Sequence, residues 1–177
     1  AQDVKLFLLC SPHNPVGRVW SKDELLEIGR ICIKHNVIIV SDEIHSDFIY
    51  KDFKHVPIAS LSEELSERTI TCTSPSKTFN LAGLQAANIW VKNASLRKKL
   101  QHSCAATGYT HLNIMAIAAT KAAYTYGHAW FDTLISYLQN NVSILHKALS
   151  KSEISLIEPE ATYLMWLDCR KLNLTDD

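Results

Sequence analysis

An α/β fold built on a mostly parallel sheet with flanking helices is what this sequence predicts, and three observations predict it. Short apolar runs recur at Lys5–Cys10, Val37–Ser41 and Thr69–Thr73, with a helical segment after the first and a looser one after the second. Each run is apolar without strict alternation, the pattern of parallel strands covered on both faces. The turn and capping residues fall between the runs, so strands and crossovers alternate as they do around a parallel sheet.

The elements follow in order. After the first strand, Ser21-Lys22-Asp23-Glu24 has the spacing of a capping box, in which a serine hydroxyl and a glutamate three residues on satisfy each other's backbone donors, and a helix should run to about His35. Between the second and third strands a short helix is expected near Glu63–Leu65. Ala86–Lys92 reads as a fourth strand, so soon after Lys77 that an antiparallel pairing fits better than a crossover, unless residues 78–84 form a compact helical turn. Helices are expected at about 95–106, 112–126 and 128–151. In the last, Trp130, Leu134, Tyr137, Leu138, Val142, Leu145 and Leu149 recur near the 3.6 period, which reads as core. Ile154–Ile157 and Thr162–Asp168 then look like strands opening a small α+β unit.

Composition narrows the function classes. The 177 residues carry 18 basic and 18 acidic side chains and no basic run interleaved with aromatics, which argues against a nucleic-acid binder. No apolar stretch approaches the roughly 20 residues of a membrane span. Five cysteines without CxxC spacing suggest free thiols in a reducing cytoplasm, and eight histidines form no paired metal motif.

The chemistry gathers at three places. Asn14 follows the first strand, Asp42 ends the second, and Ser74-Pro75-Ser76-Lys77-Thr78-Phe79 follows the third. Ligands of open α/β sheets bind beyond the carboxyl ends of the strands, so Asn14, Asp42, His45, Ser74, Ser76 and Lys77 should converge on one crevice. A lysine so placed can lose its proton by desolvation and condense with an aldehyde, although a solvated lysine in a turn would look the same in that hexapeptide alone.

Four segments in register resemble the fold-type I pyridoxal-phosphate enzymes, the aspartate aminotransferase superfamily. They are Asn14-Pro15-Val16-Gly17, Asp42-Glu43-Ile44-His45, Ser74-Pro75-Ser76-Lys77-Thr78-Phe79-Asn80-Leu81-Ala82-Gly83 and Thr162-Tyr163-Leu164-Met165-Trp166-Leu167-Asp168-Cys169-Arg170. Ser11–Trp20 and Ser41–His45 are most similar to the carbon-sulfur lyase branch, the cystathionine β-lyases. His45 and Gln85 stand where aminotransferases commonly carry tyrosine and arginine, and both departures agree with that branch.

The resemblance implies pyridoxal 5′-phosphate as cofactor and assigns roles. Lys77 would form the Schiff base and shuttle the substrate Cα proton. Asp42 would face the ring nitrogen, Asn14 the cofactor's 3-oxygen, and Ser74 with Ser76 the phosphate; His45 would lie against the cofactor and Arg170 would clamp the substrate carboxylate. An ion pair at about 4 Å is worth roughly 4 kcal/mol at an effective dielectric near 20, enough for Asp42 to keep the ring nitrogen protonated. Arginine suits a carboxylate because its guanidinium offers two parallel donors.

It further implies β-elimination from cystathionine or a related sulfur amino acid, giving thiol, pyruvate and ammonia. An aminotransferase, or a regulatory module that keeps the cofactor fold, is the alternative. On this reading the chain is a piece of a longer polypeptide, homodimeric when complete. Residues 1–127 would be the carboxyl-side part of the cofactor-binding domain, 128–151 an interdomain helix, and 152–177 the start of a small domain. The crevice would be incomplete, the first strand would expose an edge, and Asn14-Pro15 should be a cis peptide.

Overall fold

A computed structural model describes residues 3–173. Its central sheet has the order β1 (Leu6–Cys10), β2 (Ile38–Asp42), β3 (Thr69–Thr73) and β4 (Asn88–Val91). The first three strands are parallel and β4 is antiparallel to β3. Pairing aligns Cys10 with Asp42 and Asp42 with Cys72, so all three parallel strands end at one level. Expectation and structure agree on these strands and on the direction of the fourth. The link to β4 nevertheless holds helical turns, α3 (Pro75–Thr78) and a 3₁₀ turn at Ala82–Leu84, after α1 (Lys22–Lys34) and α2 (Glu63–Arg68) have covered the sheet.

Helix α1 begins where its capping box requires. The Ser21 hydroxyl accepts from the Glu24 N–H, and the Glu24 carboxylate accepts from the Ser21 N–H at 2.9 Å. That backbone bond, with Arg18 and the Ser21 hydroxyl behind it, holds the Glu24 carboxyl at about 2. One stripe of α1 faces the sheet, and Leu9, Leu25, Cys32, Val37, Ile39, Ile58 and Leu65 form the core between them. Each large aliphatic side chain fully buried there stabilises by about 1.5–3 kcal/mol.

The other face of the sheet corrects one expectation. Leu6 and Leu8 are 48% and 72% exposed while Leu9 is buried, so the described residues cover β1 on one face only, and in β4 both Ile89 and Trp90 are exposed. The apolar pattern states which side chains want cover; it does not state what supplies it.

Three helices follow: α4 (Ala94–Ala106), α5 (Ile114–Tyr126) and α6 (His128–Leu149). The apolar stripe of α6 divides, and this too corrects the reading of it as core. Val142 is buried, whereas Trp130 and Tyr137 are more than half exposed, because α5 and β5 (Ser155–Ile157) cover only part of the helix. Strand β5 pairs antiparallel with β6 (Trp166–Asp168), which is shorter than the run expected from Thr162. No described helix is long and apolar enough to cross a membrane.

Candidate active site around Lys77

The asparagine turn is closed by local bonds. The Gly17 N–H donates to the His13 carbonyl at 2.8 Å and the His13 N–H to the Arg18 carbonyl at 2.8 Å. Asn14-Pro15 is cis, as expected, and so is Ser11-Pro12, which the sequence reading missed. Gly17 has φ +79°, a left-handed conformation that glycine adopts without steric cost. Its carbonyl accepts from the N–H groups of Glu160 and Ala161 at 2.9 and 2.8 Å, so the turn is stitched to the segment leading into β6.

Strand β2 ends at Asp42, and Glu43 follows it directly. Asp42 and Glu43 are neighbours, and the period of a strand sends them to opposite sides. The Asp42 carboxylate is exposed at the strand end, where Oδ1 accepts from the Ile44 N–H at 3.1 Å. Glu43 is buried: Oε1 accepts from the Ser41 hydroxyl at 2.9 Å, and Oε2 lies 2.9 Å from His55 Nε2. A carboxylate buried this deeply persists only when its oxygens are partnered. Sequence reasoning missed His55, whose separation from Glu43 gave no periodic signal.

His45 is buried beside Tyr163 and Phe48, with ring centroids 5.4 and 6.2 Å away. Its Nδ1 is buried without a partner among the described residues. Burial first, and then the positive charge of Lys77, hold the imidazole below its ordinary value, while Asp42 pulls the other way. The ring is therefore neutral near pH 7, and it lies within electrostatic reach of both Lys77 and Asp42.

The lysine turn is a four-residue helix capped by Ser74, whose Oγ accepts from the Ser76 N–H at 3.0 Å and donates to the Ala86 carbonyl at 2.6 Å. The Ser74 proton is thus committed to the protein, whereas the Ser76 hydroxyl has no partner among the described residues. Lys77 is exposed, beside an open pocket walled by Phe48, Trp130, Leu134, Leu138 and Tyr163. Tyr163 was quoted in the sequence only as part of a motif; its place in this wall emerges from the fold.

Arg170 stands apart from this cluster in its bonding. Its guanidinium closes bidentately on Asp168, at 2.9 Å from Nε and 2.6 Å from Nη2, and it remains exposed. These bonds hold the Asp168 carboxyl well below the usual carboxylate range and raise Arg170. Both arms of its fork are thus already engaged by Asp168.

A cavity of about 430 Å³ lies along Cys10, Asp42, Ile44, Cys72, Thr73, Ser74 and Ala87, within the size range of cofactor sites. Leu8, Leu9 and Val40 complete its wall, and the Asp42 carboxylate it holds suits a protonated ring nitrogen, whereas the Ser76 hydroxyl and the Lys77 amine, groups suited to a phosphate and an aldehyde, line the separate pocket beside Trp130 and Tyr163. Among the described residues no group of three or more His, Cys, Asp or Glu is arranged to hold a metal ion.

Comparisons with known proteins agree with this geometry. The model of the aminotransferase class I and II family matches residues 1–176. Cystathionine β-lyase PatB of Bacillus subtilis is 44% identical over 98% of this chain and 45% of its own length. The solved structure of cystalysin from Treponema denticola, which contains pyridoxal 5′-phosphate, superposes with TM-score 0.93 at 39% identity, covering 96% of this chain and 44% of that one. N-succinyldiaminopimelate aminotransferase from Mycobacterium tuberculosis shares the fold at TM-score 0.86 and 26% identity over 97% of this chain and 44% of its own. The chain spans about 45% of the length of the curated relative PatB. With its strand ends, its lysine turn and nearly all of its length matched in order, the chain belongs to the aminotransferase class I and II family.

Proposed function

We propose that this chain is the lysine-bearing part of a pyridoxal-phosphate-dependent carbon-sulfur β-lyase acting on cystathionine or a related sulfur amino acid. The observation that carries the reading is the 44% identity to a cystathionine β-lyase over 98% of this chain, with His45, at the position where aminotransferases commonly carry a tyrosine, buried against Tyr163. Pyridoxal phosphate, when bound, supplies an electron sink for charge developing at the substrate Cα.

The chain's own residues do the rest. Lys77 presents its ε-amine at the mouth of the turn, where it holds the cofactor and moves the proton at Cα. Asp42 places a carboxylate at the end of β2, where it would accept a hydrogen bond from the protonated ring nitrogen and keep the proton on that nitrogen. Asn14, on the closed turn after β1, would meet the cofactor's 3-oxygen, and Ser76, with Ser74 beside it, would hold the phosphate. His45, uncharged, adds no competing cation beside Lys77. Arg170 is assigned the substrate carboxylate, in exchange for Asp168.

The acting protein is a homodimer of chains of the relatives' full length. Incubation of that protein with cystathionine and pyridoxal phosphate should release pyruvate, measured by coupled reduction to lactate. Amino transfer to an oxo acid with no pyruvate formed would overturn the lyase reading and favour aminotransferase activity, which the family name and the match to an aminotransferase structure support.

A further inference from the structure

Thr78 directly follows Lys77, yet it faces the opposite way: it is 2% exposed. Its Oγ1 donates to Oδ2 of Asp47 at 2.6 Å, the length of a hydroxyl–carboxylate bond strengthened by charge. Asp47 lies two residues beyond His45, on the loop that leaves β2. The bond therefore joins the loop carrying Asp42 and His45 to the turn carrying Lys77, across 31 residues of sequence.

Among the described residues it is the one side-chain hydrogen bond between residues 43–50 and 74–80. The turn itself is four residues long, too short to hold a conformation alone. Ser74 ties the start of the turn to the Ala86 carbonyl, and the side-chain contacts at its far end are apolar: Phe79 packs on Tyr124 at 5.7 Å, and Phe48 packs on Phe131 at 5.3 Å. Such contacts grip without direction. The Thr78 hydroxyl supplies the direction.

We propose that the Thr78–Asp47 hydrogen bond is a positioning latch that fixes where Lys77 stands relative to Asp42 and His45. This rests on the reading of Lys77 as the cofactor lysine. Thr78 and Asp47 touch neither cofactor nor substrate; they act through Lys77. Losing the latch leaves the turn held at its start by Ser74 and beyond it by apolar contacts, with the end that carries Lys77 and Thr78 free to shift, and a displacement of about 1 Å at a reacting group costs about a hundredfold in rate.

The test uses the full-length protein and the variants Thr78→Val, Thr78→Ser and Asp47→Asn. Three quantities are read: the pH midpoint of the lysine-bound cofactor absorbance, the cofactor dissociation constant, and kcat against KM. Thr78→Val should shift the absorbance midpoint and lower kcat about 10- to 100-fold with KM changed less than about threefold. Thr78→Ser keeps the hydroxyl and should stay within about threefold of wild type in every quantity. Should Thr78→Val fail to fold, Asp47→Asn decides, because it keeps an acceptor while removing the charge and should shift the midpoint in the same direction by less. A wild-type midpoint and kcat in Thr78→Val, no shift in Asp47→Asn, or a Thr78→Ser as defective as Thr78→Val would each overturn the latch. If the wild type yields no pyruvate, the lyase reading falls while the absorbance midpoint still decides the latch.

Discussion

Replacing Gly17 with alanine tests whether the asparagine turn is built as the structure shows. At φ +79° a Cβ costs about 1–2 kcal/mol through its approach to the backbone. The same Cβ would stand 2.8 Å from the Ala161 carbonyl oxygen and 3.3 Å from Pro159 Cβ, so the lead-in to β6 must move away. That movement strains the two hydrogen bonds on the Gly17 carbonyl, each worth about 0.5–1.5 kcal/mol net. Together these give about 2–5 kcal/mol, and at about 2–4 °C per kcal/mol for a chain of this size the melting temperature should fall by about 4–20 °C. Because the shift passes to Asn14, cofactor affinity should fall as well. Gly83→Ala is the control, since a Cβ there meets nothing within 4 Å. Differential scanning calorimetry of both variants decides the matter. A Gly17→Ala protein melting within about 2 °C of wild type would refute the close approach of turn and lead-in.

Other expectations follow from the buried and charged groups. Glu43→Ala leaves His55 and Ser41 without their shared acceptor and should destabilise by about 1–3 kcal/mol, read as a denaturation midpoint shift; a loss under about 0.5 kcal/mol would count against the buried hydrogen bonds. His45 is held below its ordinary value of 6.5, so the unfolded chain binds its proton more readily than the folded one. Its contribution is present above about pH 6.5 and is lost as pH falls below it. His45→Gln should therefore lose less stability than wild type between pH 7.5 and 5.5, and parallel pH profiles would contradict this. Asp42→Asn should lower kcat more than it weakens cofactor binding, because the lost charge matters most as negative charge develops at Cα; an unchanged kcat would remove Asp42 from the ring-nitrogen role.

Local chemistry made much of this legible in the sequence. Ser21 and Glu24 announce a helix start because both halves of the capping box lie within four residues, and Asn14-Pro15 announces its own turn. That the segments carrying Asn14, Asp42 and Lys77 follow the same end of the sheet came from strand direction alone, since parallel strands of similar length end on one side. What stayed hidden depends on partners distant in sequence. Gly17 against Ala161, Glu43 with His55, and Thr78 with Asp47 are tertiary pairings that no period announces. The exposure of Leu8 and Trp130 was hidden for a related reason: an apolar pattern marks a surface that seeks cover without showing what supplies it.

The claim on which the account turns is that Lys77 is the amine that holds the cofactor. Borohydride reduction of the full-length protein loaded with pyridoxal phosphate, followed by proteolysis and mass mapping, tests it directly. The account predicts a phosphopyridoxyl group on the peptide containing Ser74–Phe79, attached at Lys77 and absent from Lys77→Ala. A modified peptide elsewhere, or an unchanged yield in Lys77→Ala, would contradict it.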